Sequence, residues 1–233
     1  ATGAILVEAI QGESGVHCAT PEYLMGLRKL CNERNLLLLM DEVQCGHFRT
    51  GNFFGWQTIM ATHSDFAPDA CSMAKSLAGG LPMGAIWASK SLQNVLGPGT
   101  HGTTFGGTPV VSAHALKALE IIERDELAQN ATELGAYLKE KIEELITNYP
   151  GVLKEVRGLG LMIGIDVAEN ISAFTENKRP ASVQVVERLH YAGLLTIPAG
   201  ARTFRLLPPL NIAKEDADEG LGLIESIVKE LAS

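Results

Sequence analysis

The sequence has little of what would place it among disulfide-stapled, zinc-binding, membrane or nucleic-acid proteins. Its four cysteines, Cys18, Cys31, Cys45 and Cys71, stand far apart, with no CxxC pair and no histidine at metal-ligand spacing. That pattern argues against a disulfide or zinc framework and leaves four ordinary thiols and no metal site. No apolar run approaches the roughly 20 residues of a bilayer span. The longest conspicuous one is "LLLLM" at 36–40, and no charged-then-apolar leader opens the chain, so the expected compartment is the cytoplasm. Positive charge is scarce too. With 19 Lys and Arg against 27 Asp and Glu, the net charge of −8 argues against nucleic acid or an anionic membrane as the main partner, because neutralising phosphates takes clustered cations. An anionic small ligand in a local basic pocket stays compatible with it.

What is present is a globular composition. A chain of 233 residues, 46% of them hydrophobic, can bury the core of one large domain or two smaller ones. It opens "ATGAILVEA", without methionine and already entering an apolar run, which reads as the middle of a longer protein. "AILVE" (4–8) predicts a strand and Pro21 to about Glu33 a helix, from the helical spacing of Tyr23, Leu24, Leu27, Leu30 and Cys31. "LLLLMDE" (36–42) suits a strand buried on both faces, as in parallel sheets. "PDACSMAK" (68–75) and "GAIWAS" (84–89) add two more, and runs so separated imply a parallel α/β sheet. From Pro109 to about Pro150 the pattern is helical, breaking near Arg124 and Asp125, where a domain boundary is placed. Beyond it come a strand, a Gly turn and a strand in "GVLKEVRGLGLMIGIDV", a helix stopped by Gly193, the strand "TFRLLPPL" closed by prolines, and a last helix. This second part reads as a smaller α+β domain.

Three of the apolar runs end in ionisable residues, Glu8, Asp41 and Lys75, each one βα unit from the next. In open parallel sheets ligands bind beyond the carboxyl ends of the strands, so one rim would carry two carboxylates and an amine. Each residue alone is also what marks a strand leaving the core. Lys75 stands among small residues in "CSMAKSLAGGLPMGAIWAS". Such company would partly desolvate its amine and lower its pKa, making it nucleophilic toward a carbonyl. The glycines and Pro82 that follow allow a flat ring to come close. A Schiff-base lysine with a buried aspartate suggests pyridoxal 5'-phosphate, whose ring nitrogen the aspartate keeps protonated. A barrel aldolase would use the same groups, but its eight βα units are not supplied by the second half.

Five stretches, "VEAIQGESGV" (7–16), "MDEVQCGHFRTG" (40–51), "MAKSLAGGLPMGA" (73–85), "HGTTFGGTP" (101–109) and "FRLLPPLN" (204–211), together resemble the class III pyridoxal-phosphate aminotransferases. They occur in the family's order over nearly the whole chain. The resemblance implies an α/β protein of the type I PLP-dependent transferase fold. Residues 1–125 would be the C-terminal part of the large cofactor-binding domain with its mostly parallel sheet, and residues 126–233 the smaller α+β C-terminal domain. It makes Lys75 the lysine that bonds the cofactor and shuttles a proton, with Asp41 at the pyridine nitrogen, Val43 on the ring face and Gln44 at the ring hydroxyl. Glu42 belongs to the same cofactor-binding segment. On an extended segment it would point away from its neighbours' face, which favours a structural acid.

Thr104 resembles the threonine that binds the cofactor phosphate of the neighbouring subunit, and Thr103 the position lining the substrate pocket. A homodimer with shared active sites is therefore implied. Arg205, in an otherwise apolar strand, needs a carboxylate to clamp; by resemblance that is the carboxylate of the amino acid and oxo acid. Glu13 resembles the acid that pairs with this arginine for an ω-amine and moves aside for 2-oxoglutarate, although a loop acid is an equally good reading of it. "GLGLMIGIDV" and "LLTIPAGARTFRLLPPLN" point within the family to N-acetylornithine as amino donor, in arginine biosynthesis, with 2-oxoglutarate as acceptor. Ornithine, succinylornithine and 4-aminobutyrate stay open as donors, as does a silent fragment. Ala9, Phe48 and Thr108 depart from the family's usual Pro, Gly and Asn. The family's phosphate cup and ring-stacking aromatic would precede Ala1, so the expectation is the C-terminal half or more of an aminotransferase.

Overall fold

A computed structural model describes residues 1–174 and 178–233. It comprises two compact units, Ala1–Ala9 with Ala19–Ala128 and Ile10–Cys18 with Gln129–Ser233. In the first, β1 (Ala4–Glu8) opens the chain. The two-residue strands β2 (Ile10–Gln11) and β3 (His17–Cys18) come next but belong to the second. Helix α1 (Pro21–Arg34) returns to the first unit. It starts on Thr20, whose hydroxyl accepts from Tyr23 N–H, has Pro21 at its first position, and stops where Asn35 turns left-handed at φ 53°. Then follow β4 (Leu37–Asp41), α2 (Gly55–Ile59), β5 (Ala70–Met73), β6 (Ala85–Ala88) and α3 (Pro109–Arg124).

The sheet order is β1-β4-β5-β6, with β1, β4 and β5 parallel and β6 antiparallel to β5. Burial is one-sided, where the sequence predicts both faces of β4 covered. Leu38 and Met40 are fully buried, whereas on the opposite face Leu6 is 66% and Ile86 is 64% exposed. A continuous apolar run cannot distinguish a face covered by its own chain from one left open. The pairs Glu8↔Asp41 and Asp41↔Ser72 set the strand-end acids on this more open face.

The second unit holds α4 (Leu127–Asn148) almost entirely, then β7 (Leu153–Leu159), β8 (Met162–Val167), α5 (Ala181–Ala192), β9 (Ile197–Pro198), β10 (Thr203–Leu206) and α6 (Lys214–Ala232). Its antiparallel sheet runs β7-β8-β10-β9. Ile142 of α4, Leu189 of α5 and Ile224 of α6 meet Ile163, Ile165 and Phe204 of the sheet in one buried cluster. The division between units falls at Ala128–Gln129, and residues 10–18, placed by sequence in the first part, lie in the second. The cause is local. Arg157 and Arg205 bind the carbonyls of Gly15 and Gly12 in the β2–β3 loop, contacts far apart in sequence that no periodicity announces.

Helix α4 approaches the β7–β8 turn most closely at Gly135, where an added Cβ would meet the Gly160 carbonyl oxygen at 2.2 Å. Gly135→Ala is expected to lose about 1–3 kcal/mol through overpacking, read as a lower urea midpoint by circular dichroism. At Gly151 nothing lies within 4 Å of the added Cβ, and Gly151→Ala should stay within ~0.5 kcal/mol of the parent.

Candidate active site

In the first unit, the parallel register places Glu8 beside Asp41, and Asp41 beside Ser72. Lys75 lies just beyond the end of β5, at the start of a 3-10 turn, Lys75–Ala78. Asp41 Oδ1 accepts from Val43 N–H at 2.9 Å, which fixes the rotation of the carboxylate. Lys75 has φ 48°, a left-handed backbone rare for a residue with a side chain. Its side chain is exposed, so the small neighbours do not desolvate the amine as the sequence predicts. A short turn at a sheet rim leaves a long side chain in solvent unless something covers it. The far end of the turn is tied to α3 by His114 Nδ1, 2.8 Å from the Ala78 carbonyl oxygen.

Strand β4 ends at Asp41, and residues 43–50 form turns. Val43 and Gln44 therefore do not continue an extended segment. Glu42 does turn away, for a different reason: it is fully buried and accepts from Gly55 N–H at 2.6 Å and Trp56 N–H at 3.1 Å, the first amides of α2, with the Cys45 thiol at 3.3 Å. Burial pushes its carboxyl pKa up against the pull of these hydrogen bonds, and the balance is upward. Glu42 thus anchors the loop that follows Asp41. Within that loop Phe48 has φ 64°, which explains why glycine is usual there. The strain, roughly 1–2 kcal/mol, is set against an edge contact of its ring with Phe53 at 5.5 Å.

The preceding residue, His47, was not singled out from sequence, where it is one more loop residue. It also has a left-handed backbone, φ 56°, and is 2% exposed. Burial lowers its pKa from 6.5 to about 4, so it is neutral at pH 7. The Thr103–Thr104 segment is an exposed turn ahead of α3, in which Thr103 Oγ1 accepts from Gly106 N–H at 3.1 Å.

In the second unit Arg205 is 5% exposed, yet charged. Its guanidinium donates to the Gly12 carbonyl at 2.7 Å and to Glu13 Oε1 at 2.9 Å, while the Glu13 side chain is 70% exposed. One row of the sheet explains the approach. Gly164 of β8 sits between Arg157 of β7 and Arg205 of β10 in register. A Cβ at Gly164 would meet Val16 Cβ at 2.8 Å and the Gly15 carbonyl oxygen at 3.0 Å, so glycine there admits the β2–β3 loop. Arg157, also unnoticed in sequence, donates to the Gly15 carbonyl at 2.6 Å and to Asp166 at 2.8 Å. Burial raises the Asp166 pKa, but hydrogen bonds from Arg157 and Thr203 outweigh it and the net direction is down.

An amine and a carboxylate thus stand on one sheet rim of the first unit, and a buried arginine binds a carboxylate within the second. The chain belongs to the class-III aminotransferases: the family model matches residues 1–228, and the family is pyridoxal-phosphate dependent. It is 39% identical over 229 residues to the acetylornithine aminotransferase of Clostridium acetobutylicum, which covers 98% of this chain and 55% of that protein. The solved acetylornithine aminotransferase of Elizabethkingia anophelis superposes with a TM-score of 0.82 at 34% identity, over 97% of this chain and 54% of that one. An ornithine delta-aminotransferase structure from Plasmodium falciparum gives 0.84 at 34% identity, over 99% and 57%. The two units are thus part of a type I PLP-dependent transferase fold. The chain spans about half the length of the curated relatives it matches.

The residues present fit pyridoxal 5'-phosphate. Lys75 offers a primary amine to its aldehyde, the oriented Asp41 carboxylate suits its ring nitrogen, and the Gly/Thr turn has the hydroxyls and amides that phosphates use.

The depressed pKa of His47 has a signed consequence for stability. A histidine at 6.5 when unfolded and about 4 when folded favours folding fully above pH 6.5, and that contribution is lost as pH falls through 4. Urea midpoints of His47→Asn should vary less over this window than those of the parent; equal slopes would contradict the assignment.

Proposed function

We propose that the whole protein is a pyridoxal-phosphate-dependent aminotransferase that moves an amino group from N-acetylornithine to 2-oxoglutarate, as a cytoplasmic homodimer with shared sites, in arginine biosynthesis. The observation that carries this reading is the placement of Lys75 and Asp41 at the ends of neighbouring parallel strands. The acetylornithine aminotransferase names of several relatives support the choice of donor. Ornithine is the second reading, favoured by the ornithine aminotransferases among the similar structures.

When bound, the cofactor supplies an electron sink for the carbon that carries the amine. Asp41, its carboxylate fixed by the Val43 amide, would hold the ring nitrogen protonated. Lys75 Nζ would hold the cofactor and would serve as the base that takes the proton from the donor carbon and gives it back. Val43 and Gln44 are assigned to the ring face and ring hydroxyl, Thr104 to the phosphate and Thr103 to the substrate pocket. Glu42 serves this group from behind, by holding the loop.

Arg205 binds the substrate carboxylate. Its burial makes an unpaired guanidinium costly, and Glu13 offers the alternative partner when the donor presents no carboxylate there. Because one carboxylate replaces another, the charge stays matched throughout, and the pocket takes two differently charged substrates. Arg205→Ala should raise the KM for 2-oxoglutarate about 10- to 100-fold, the worth of a charge-assisted pair, with cofactor content unchanged. Glutamate formation from a panel of amino donors tests the substrate: N-acetylornithine should be used best, and equal or better use of ornithine would favour the second reading.

A further inference from the structure

The turn that bears Lys75 is held at its far end by His114. At its near end, Ser76 Oγ lies 3.3 Å from His47 Nδ1. His47 is an unfavourable residue for its position on structural grounds alone. It is buried, its backbone is left-handed, and its Nε2 has no hydrogen-bond partner among the described residues. Glycine would adopt that backbone more readily. Strain of this kind persists where the surrounding structure imposes it, and it clusters at functional positions. What imposes it is visible: His47 N–H donates to the Phe53 carbonyl at 2.7 Å, and the ring stands edge-on to Phe53 at 5.7 Å. Backbone and ring are thus both fixed, and the ring's one polar contact among the described residues falls on the residue directly after Lys75.

We propose that His47 is a positioning residue for Lys75, acting through the Ser76 hydroxyl to hold the left-handed start of the 3-10 turn that presents the amine. In either tautomer the imidazole and the hydroxyl make one hydrogen bond, so the ring needs no charge for this role. The inference rests on Lys75 being the lysine that bonds the cofactor. His47 touches neither cofactor nor substrate in it; its effect is on where Lys75 Nζ spends its time.

The test is the rate at which Lys75 of the whole protein, freed of cofactor, captures added pyridoxal 5'-phosphate. Nζ bonds the aldehyde carbon, the carbonyl oxygen leaves as water, and borohydride then adds hydride to the carbon–nitrogen double bond while solvent supplies the proton. Peptide mass spectrometry counts the resulting secondary amine at Lys75. Ser76→Ala, a small change at an exposed residue, and His47→Ala should each slow capture roughly tenfold, since misplacing a reacting group is costly. The double variant should be no slower than either single one, because both remove the same bond, and His47→Asn, which keeps a polar group and suits the backbone, should stay within about twofold of the parent. Capture by Ser76→Ala at the parent rate, or a double variant slowed by the product of the single effects, overturns the inference while leaving Lys75 its role. Absence of label on Lys75 in the parent overturns that role, and the inference with it.

Discussion

The parallel register of β1, β4 and β5 is the constraint on which the rim bearing Asp41 and Lys75 depends. Hydrogen bonding of one strand to the next leaves no freedom in which residues come to the rim together, and the register pairs Glu8 with Asp41 and Asp41 with Ser72. A slip of one residue would turn Asp41 toward the face that buries Leu38 and Met40, where an unpaired carboxylate is costly. The same alternation therefore stabilises the sheet and aims the acid. Glu42, one residue on, is turned the other way and put to structural use at the first amides of α2. Of two adjacent carboxylates, one thus stands at the open rim and the other holds the loop.

In the second unit the comparable constraint is a buried charge. Arg205 lies in an apolar strand, and it is tolerable there because the β2–β3 loop brings it a carbonyl and a carboxylate. Gly164 makes room for that loop and Arg157 fastens its other side. Two arginines flanking a glycine in one row of the sheet thereby convert a packing requirement into a carboxylate-binding position. In this pair the Glu13 side chain is exposed and the Arg205 side chain buried, the asymmetry that the proposed exchange between substrates calls for.

Much of this was legible in the sequence because it rests on short-range patterns. The apolar runs ending at Glu8, Asp41 and near Lys75, the helix starting at Pro21, and the prolines closing "TFRLLPPL" all correspond to elements of the structure. Long-range contacts were not legible. Nothing near residues 10–18 shows that they pack with the second unit, because the arginines responsible lie far along the chain. The segment just after Asp41 looked extended and is a series of turns, whose local hydrogen bonds are joined by those of Glu42 to α2 and of His47 to Phe53. The small residues around Lys75 suggested shelter for its amine, yet smallness left the turn open. Phe48 shows the converse: its departure from glycine was visible, and the left-handed backbone that gives the departure meaning needed coordinates.

The account stands on Lys75 as the covalent anchor of a ring whose nitrogen Asp41 holds. The visible absorption spectrum of the whole protein loaded with pyridoxal 5'-phosphate tests this most directly. The bonded cofactor should give a band in the parent that Lys75→Ala lacks. An identical band in Lys75→Ala would contradict it.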